Sequence, residues 1–249
     1  MNKQHRKSKP LALVTGATSG IGRAITMELV RLDYEAIAIG RRTAVLSEMQ
    51  AMSGIHPLAL DITDREALSA ALEGEQIDVL VSNAGVIPPL VGFADMDQSD
   101  IDTTLEINLS AAITIVRLVL PGMIARGSGH IFFTGSTAGQ GPFANMAVYG
   151  ASKAAVSSFA AALRCDLAGS DVRVTEVVAG RVETRLYRDA LSAQARAEMY
   201  SAFDPVQPED VARMVAAVLT MPAHVDVTRF DILPTGQFIG GRAFAAGED

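Results

Sequence analysis

At 249 residues and 49% apolar side chains, the chain is long enough for one large core, and an α/β chain of this size is commonly one domain. Its 21 basic and 28 acidic residues leave a net charge of −7, which argues against nucleic acid as a partner because phosphate binding needs a basic surface. No apolar run reaches the roughly 18 residues of a bilayer span, so no membrane partner is expected, and the single cysteine, Cys165, excludes an internal disulfide and points to a reducing, cytoplasmic setting.

The basic start MNKQHRKSK reads as a disordered tail, residues 1–9, because the apolar run after it is too short for a signal segment. Leu11 to Thr15 is a short apolar run that opens into Gly16-Ala17-Thr18-Ser19-Gly20-Ile21-Gly22, followed by RAITMELVRL with apolar residues at helical spacing. Strand, glycine turn and helix form the context of a phosphate-binding turn. The glycines permit a tight turn and close backbone approach, and the helix N-terminus offers unpaired N–H groups to an anion. Gly16, Thr18, Ser19, Gly20, Ile21 and Gly22 are therefore candidate cofactor contacts. No lysine follows the glycines, which excludes a nucleoside triphosphatase loop, while a ligand-free strand-to-helix turn is the plainer alternative.

A second strand, Ala36 to Ile39, ends in Gly40-Arg41-Arg42. In dinucleotide folds this strand end faces the adenosine ribose, where an acid reads the 2′-hydroxyl and arginine accommodates a 2′-phosphate. With Arg41 and Arg42 and no acid there, NADP(H) is favoured over NAD(H). Thr43 to Met52 reads as a helix and Pro57 to Leu60 as the third strand, leading to Asp61-Ile62-Thr63-Asp64, where Thr63 or Asp64 can cap the next helix. Asp61, at the strand end, could also touch an adenine. Ile77 to Val81 is the fourth strand, and the small residues Asn83, Ala84 and Gly85 beyond it let a ligand approach the backbone.

A long helix is expected from about Ser99 to Arg126, with Asn108 inside it either capping a break or orienting something polar. Ile131 to Thr134 is the fifth strand, and a helix follows from about Ala147 to Ala168, in whose small-residue packing Cys165 is expected to be buried. The β-branched run Val172 to Val178 is the sixth strand. In the polar segment from Thr184 to Phe203, Arg185, Tyr187, Arg188 and Asp189 read as a solvated helix face rather than contacts for an acidic substrate. Pro208 opens a helix to Met221, and Phe230 to Leu233 is the last strand. This alternation predicts an α/β fold, a Rossmann-type doubly wound parallel sheet of about seven strands with helices on both faces, as a single domain over 10–249. His5, His56, His130 and His224 are scattered without metal-ligand spacing, so no site metal is expected.

The stretch TGSTAGQGPFANMAVYGASK, Thr134 to Lys153, carries the chemistry. Tyr149 and Lys153 stand at i and i+4 near the start of a helix, on one face, and Ser136 precedes them on a loop. A phenol with a pKa of about 10 is a poor acid-base group at neutral pH. An adjacent cation favours the phenolate, and a hydroxyl aimed at the same spot can hold a substrate oxygen. Of four lysines, Lys3, Lys7 and Lys9 lie in the tail, so Lys153 is the one lysine of the body, where arginine serves elsewhere. A compact ammonium, not a guanidinium, suits sharing charge with a phenol. A surface Tyr/Lys pair on an ordinary helix has the same spacing.

Together these motifs resemble the short-chain dehydrogenase/reductase family over about residues 10 to 240. Thr15, Gly16, Gly20 and Gly22 match its glycine turn, and Asn83-Ala84-Gly85 its N-A-G. Asn108 matches its helix asparagine, Ser136 its serine, and Tyr149 and Lys153 its Y-x-x-x-K. The resemblance implies hydride transfer between a nicotinamide and a small-molecule carbonyl/alcohol pair. Tyr149 would be the general acid, Ser136 a donor to the carbonyl oxygen, and Lys153 a ligand of the nicotinamide ribose that also lowers the tyrosine pKa. Asn108 would hold a water feeding protons toward Lys153. Asp61, Ile62 and Asn83 would meet the adenosine half, and Gly180, Val182 and Thr184 the nicotinamide end. Where the family usually shows Pro-Gly, this chain has Ala179-Gly180, which should loosen that turn. The ending FDILPTGQ and the arginines after strand two look most like the branch of NADP-dependent dehydrogenases of serine and other 3-hydroxy acids. A homodimer or homotetramer is expected from the long helix and the small-residue helix 147–168. An NADPH-sensing regulator without turnover and a scaffold using the same fold are the competing readings.

Overall fold

Seven short apolar runs meet edge to edge in one parallel sheet, in the order β3-β2-β1-β4-β5-β6-β7. The structure, a computed structural model, describes residues 9–188, 190–201 and 204–237, so most of the predicted tail, Asp189 and Phe203 lie outside the described residues. The strands are β1 Leu11–Thr15, β2 Glu35–Gly40, β3 Ile55–Ala59, β4 Val79–Ser82, β5 Gly129–Ser136, β6 Val172–Ala179 and β7 Arg229–Ile232. Between them run α1 Gly20–Arg31, α2 Thr43–Gln50, α3 Arg65–Leu72, α4 Gln98–Leu105, α5 Ala111–Arg126, α6 Ala147–Asp166, α7 Ala193–Ser201 and α8 Pro208–Leu219. The predicted Rossmann-type architecture holds.

A parallel sheet buried on both faces needs strands that are apolar on both sides. The central strands β1 and β4 meet that need, with Leu13, Val14, Leu80 and Val81 all buried to about 1% exposure or less. One face packs against α1, α2 and α8 through Val14, Ile25, Leu29, Phe132, Val177 and Val215. The other packs against α3, α5 and α6 through Leu13, Leu80, Ile115, Ile131, Phe133 and Val156. Each such side chain contributes roughly 1.5–3 kcal/mol when taken fully out of water. Asp64, rather than Thr63, caps α3 by accepting from the Ala67 N–H at 3.0 Å, and Pro208 fills the first turn of α8, where its missing N–H has no cost.

Three local expectations are corrected. The long helix is not uniform: α4 and α5 are joined by a π-helical turn, Glu106–Ser110, that contains Asn108. As one rod of 29 residues, Gln98–Arg126 is long and apolar enough to cross a bilayer by length and composition, yet Ala111, Ile115, Val119 and Met123 bury one of its stripes within the protein. Cys165 is exposed, because the buried stripe of α6 runs through Tyr149, Ser152, Lys153, Val156, Ala160 and Leu163 and leaves it aside. Finally, β5 runs to Ser136 instead of stopping at Thr134, since β6 pairs with it as far as Ser136↔Ala179. That extension carries Ser136 to the rim of the sheet.

The chain order reverses between β1 and β4, and the crevice outside the carboxyl ends of strands at such a switch point is where open α/β sheets bind ligands.

Candidate active site

A cleft of about 720 Å³ opens at that switch point, lined from the glycine turn at one end to Arg185 and Tyr187 at the other. Its framework is built from small polar side chains. The Thr15 hydroxyl accepts from the N–H groups of Asn83 and Ala84 at 2.9 and 3.0 Å. The Asn83 amide donates to the Thr15 carbonyl at 3.0 Å and accepts from the Thr134 hydroxyl at 3.2 Å. The carboxyl ends of β1, β4 and β5 are thereby tied to one another.

Gly16 and Gly20 adopt positive φ of 66° and 48°, which side-chain-bearing residues rarely take, and the turn they make brings backbone to the cleft wall. Ser19, at the N-cap of α1, makes no side-chain cap bond, and the first turn holds no acid, so the N–H groups there are left for a ligand. Gly22 does not line the cleft. It is a packing glycine: a β-carbon would come within 2.5 Å of the Gly16 carbonyl oxygen.

At the adenosine end, Arg41 and Arg42 both line the cleft. Arg42 donates to the Thr18 carbonyl at 3.3 Å, and Arg41 lies 3.5 Å from Asp61. The Asp61 carboxylate accepts from the Thr63 N–H and hydroxyl at 3.0 and 2.9 Å. The Thr63 N–H bond is the main cause of its lowered pKa, with the Arg41 charge adding a smaller push.

At the opposite end Tyr149 and Lys153 are buried, at 4% and 5% exposure, on the face of α6 that meets β5. The Lys153 ammonium donates to the Thr134 carbonyl at 2.8 Å and stands 5.9 Å from the centroid of the Tyr149 ring. An ammonium has three donors, and this is the one protein bond it makes among the described residues. Burial lowers its pKa to about 8, with Glu176 acting in the opposite sense. The expected lowering of the tyrosine pKa by Lys153 is not met. Burial, with Tyr187 next, pushes the phenol strongly upward, and the polar Ser136 side chain opposes it without prevailing. Tyr149 is thereby held in its protonated form.

Asn108 is buried behind the cleft rather than on it. Its Oδ1 accepts from the Val86 N–H at 2.8 Å, and its amide nitrogen donates to the Val86 carbonyl at 2.9 Å and to the Ser152 hydroxyl at 3.1 Å. Both amide hydrogens are thus committed to the protein, and Ser152 in turn donates to the Tyr149 carbonyl at 2.7 Å. Ala179, where the family usually has proline and a looser turn was expected, ends β6 in register with Ile232 of β7, and Gln237 accepts from the Arg181 N–H after it at 2.7 Å.

Of the expected site residues, Gly16, Thr18, Ser19, Gly20, Ile21, Arg41, Arg42, Asp61, Ile62, Asn83, Ala84, Gly85, Ser136, Tyr149, Lys153, Gly180, Val182 and Thr184 all line the cleft. Arg185, Tyr187 and Arg188 line it too, although their sequence reads as a solvated face. The polar pattern around them carried no sign of the fold-back that Val182 and Val206 make by pairing as a parallel bridge. Ile107 was also missed, because it comes from the π-helical turn.

A doubly wound sheet with an anion-ready glycine turn at its switch point and a buried Tyr/Lys pair at the same mouth defines a Rossmann-type oxidoreductase. Residues 10–195 match the family model of the short chain dehydrogenases, and the chain belongs to that family. It is similar to an uncharacterised short-chain type dehydrogenase/reductase of Sinorhizobium fredii, 47% identical over 232 residues that cover 93% of this chain and 94% of that protein. It is also similar to the NADP-dependent 3-hydroxy acid dehydrogenase of Escherichia coli K12, 36% identical over 244 residues, 93% of this chain and 97% of that enzyme. Among solved structures, the closed form of serine dehydrogenase complexed with NADP+ matches with a TM-score of 0.89 at 35% identity, covering 95% of this chain and all of that one.

Proposed function

We propose that the protein is an NADP(H)-dependent oxidoreductase interconverting a small carbonyl compound and its alcohol, with Tyr149 as general acid/base. The observation that carries this reading is the single cleft shared by the glycine turn, Arg41 and Arg42, and the Ser136, Tyr149 and Lys153 side chains. The cradle fits a phosphorylated dinucleotide. The unpaired α1 amides would hold a pyrophosphate, Arg41 and Arg42 a 2′-phosphate, and the uncommitted Lys153 donors the ribose hydroxyls beside the nicotinamide. Bound there, the nicotinamide supplies the hydride in reduction and accepts it in oxidation.

The residues do the rest. Ser136 donates a hydrogen bond to the substrate oxygen, and Tyr149 gives it a proton as negative charge develops. Burial supports this direction by keeping the phenol protonated until a partner arrives. Lys153 fixes the site from behind through the Thr134 carbonyl. Asn108 is read as a positioning residue, clamping Val86 and, through Ser152, the backbone of Tyr149. On this reading residues 10–249 act as one cofactor-binding and catalytic unit, in the cytoplasm, and assemble as a homo-oligomer, for which the exposed Leu105, Ile113 and Ile124 along α4 and α5 give support.

The substrate is read as a small acid, a 3-hydroxy acid or its 3-oxo partner. Arg185 and Arg188 at the catalytic end of the cleft support it, and a 3-hydroxy acid and serine, from the names of two relatives, both carry a carboxylate. NADPH oxidation measured across neutral aldehydes, ketones and 3-oxo acids, with 3-hydroxy acids in reverse, tests it. The expected result is preference for the acids, and a KM raised about tenfold by Arg188→Ala for acids alone, the loss of one exposed charge-assisted contact. Equal turnover of neutral and acidic compounds overturns the acid assignment, and no turnover with any of them overturns the enzyme reading.

A further inference from the structure

Glu176 lies in the middle of β6, paired across the sheet with Phe133 of β5 and Arg229 of β7, and it is buried to 4% exposure. A carboxylate in a sheet core is costly unless something there needs its charge or fills its hydrogen bonds. Its bonds are only half filled. One oxygen accepts from the Ser157 hydroxyl at 2.9 Å, while Oε1 has no hydrogen-bond partner among the described residues.

Ser157 lies four residues beyond Lys153 on α6, and Lys153 four beyond Tyr149, so the three form one stripe of the helix. The unpartnered Oε1 occupies the space beside Gly135 of β5 that a side chain would need, since a β-carbon there would come within 2.5 Å of it. Gly135 is the residue between Thr134, whose carbonyl receives the Lys153 ammonium, and Ser136. The carboxylate is thus lodged directly behind the strand that floors the catalytic end of the cleft. The space for it exists because position 135 has no side chain.

We propose that Glu176 is a positioning residue for the reaction, a buried counter-charge that keeps Lys153 an ammonium and holds it against the cleft floor. The inference rests on the reading of Lys153 given above. Among the described residues, two charged groups feel the charge of this carboxylate. Lys153 comes from α6, and Arg229 from β7, while β5 presents the uncharged Gly135. Arg229 is largely spent on Asp231, at 2.6 and 2.7 Å, and on Gln140 at 2.8 Å. Gln140 reaches Ser157 at 3.3 Å, so a chain of bonds runs from surface Asp231 through Arg229, Gln140 and Ser157 to Glu176 and fixes where its charge sits. With its pKa near 8 even in the presence of Glu176, the ammonium keeps little margin at neutral pH.

The test is an NMR titration of the full-length protein labelled with 13C-lysine. The chain has four lysines, and the signal missing from Lys153→Met identifies the one that matters. The wild-type signal should titrate near pH 8, that of Glu176→Gln about one pH unit lower, and that of Glu176→Asp close to wild type because the charge is kept. The alkaline limb of kcat/KM for reduction should move to lower pH in step. A Lys153 midpoint unchanged in Glu176→Gln overturns the proposal, and Glu176→Asn gives the same readout should the glutamine variant not fold. A shifted midpoint with an unmoved activity profile upholds the counter-charge and sinks instead the catalytic reading of Lys153. A merely structural Glu176 would lower Tm in all three variants and leave the lysine where it was.

Discussion

The two ends of β5 each bury a basic side chain, with opposite results. Near its start His130 is 2% exposed, stacked on Phe132 at 4.0 Å between ring centroids, and bonded through Nε2 to the Thr175 hydroxyl at 2.8 Å. Burial, followed by the Arg173 charge, lowers its pKa to about 3, so the ring is neutral and closed in on every side. At the other end Lys153, drawn to the Thr134 carbonyl, is lowered only to about 8, with Glu176 behind it and the cleft before it. A perturbed pKa alone therefore does not mark a site. What separates the two ends is access: one base meets only protein, and the other has donors left for a ligand.

The largest expected effect tests the open end. Tyr149→Phe keeps the ring and its packing and removes the proton, so turnover should fall by about 10³-fold with cofactor affinity little changed, within the range of a lost general acid. Retained turnover would show that the buried phenol is no more functional than His130. A smaller effect, about 30-fold, is expected in the KM for NADPH of Arg41→Ala, the loss of one charge-assisted phosphate contact. The KM for NADH should rise far less, and Asp61, relieved of Arg41, should make NADH relatively better. Equal effects on both cofactors would remove the 2′-phosphate from the account of that end of the cleft.

The open end was legible in the sequence because its signals are local. Gly16 to Gly22 lie within one turn, and Tyr149 and Lys153 are separated by one turn of α6, so spacing reports geometry directly. The partners that tune them were not legible. Nothing in the sequence links Gly135 to Glu176, 41 residues later, until β5 and β6 pair in the register that sets Gly135 opposite Val178 and Phe133 opposite Glu176. The same pairing drew Gly135 and Ser136, indifferent strand formers, into β5 beyond the predicted end at Thr134. Asn108 stood out as either capping a break or orienting something polar, but what it does, clamping Val86 from a π-helical turn, depends on a loop 22 residues earlier. For Cys165 composition misled, since an alanine-rich helix has no strong polar face to show which side turns outward.

The smallest effect concerns the closed end and is read in stability rather than rate. The folded-state pKa of His130 is about 3, below its ordinary 6.5. Above pH 6.5 the ring is neutral in both folded and unfolded chains. As pH falls below 6.5, the unfolded chain takes up a proton that the folded one refuses, so the stability present at neutral pH is progressively lost down to about pH 3. Between pH 7 and 5.5 the His130 share of that loss is about 1 kcal/mol. His130→Leu removes the titration together with the unpartnered Nδ1, while Thr175 keeps its bond to the Val227 carbonyl at 2.7 Å. Urea unfolding at the two pH values should therefore show a pH dependence about 1 kcal/mol smaller in the variant, with kcat unchanged at neutral pH. An identical pH dependence would mean that water reaches this end of β5 as freely as it reaches the cleft, and a changed kcat would mean that His130 is not sealed off from the chemistry at the strand's far end.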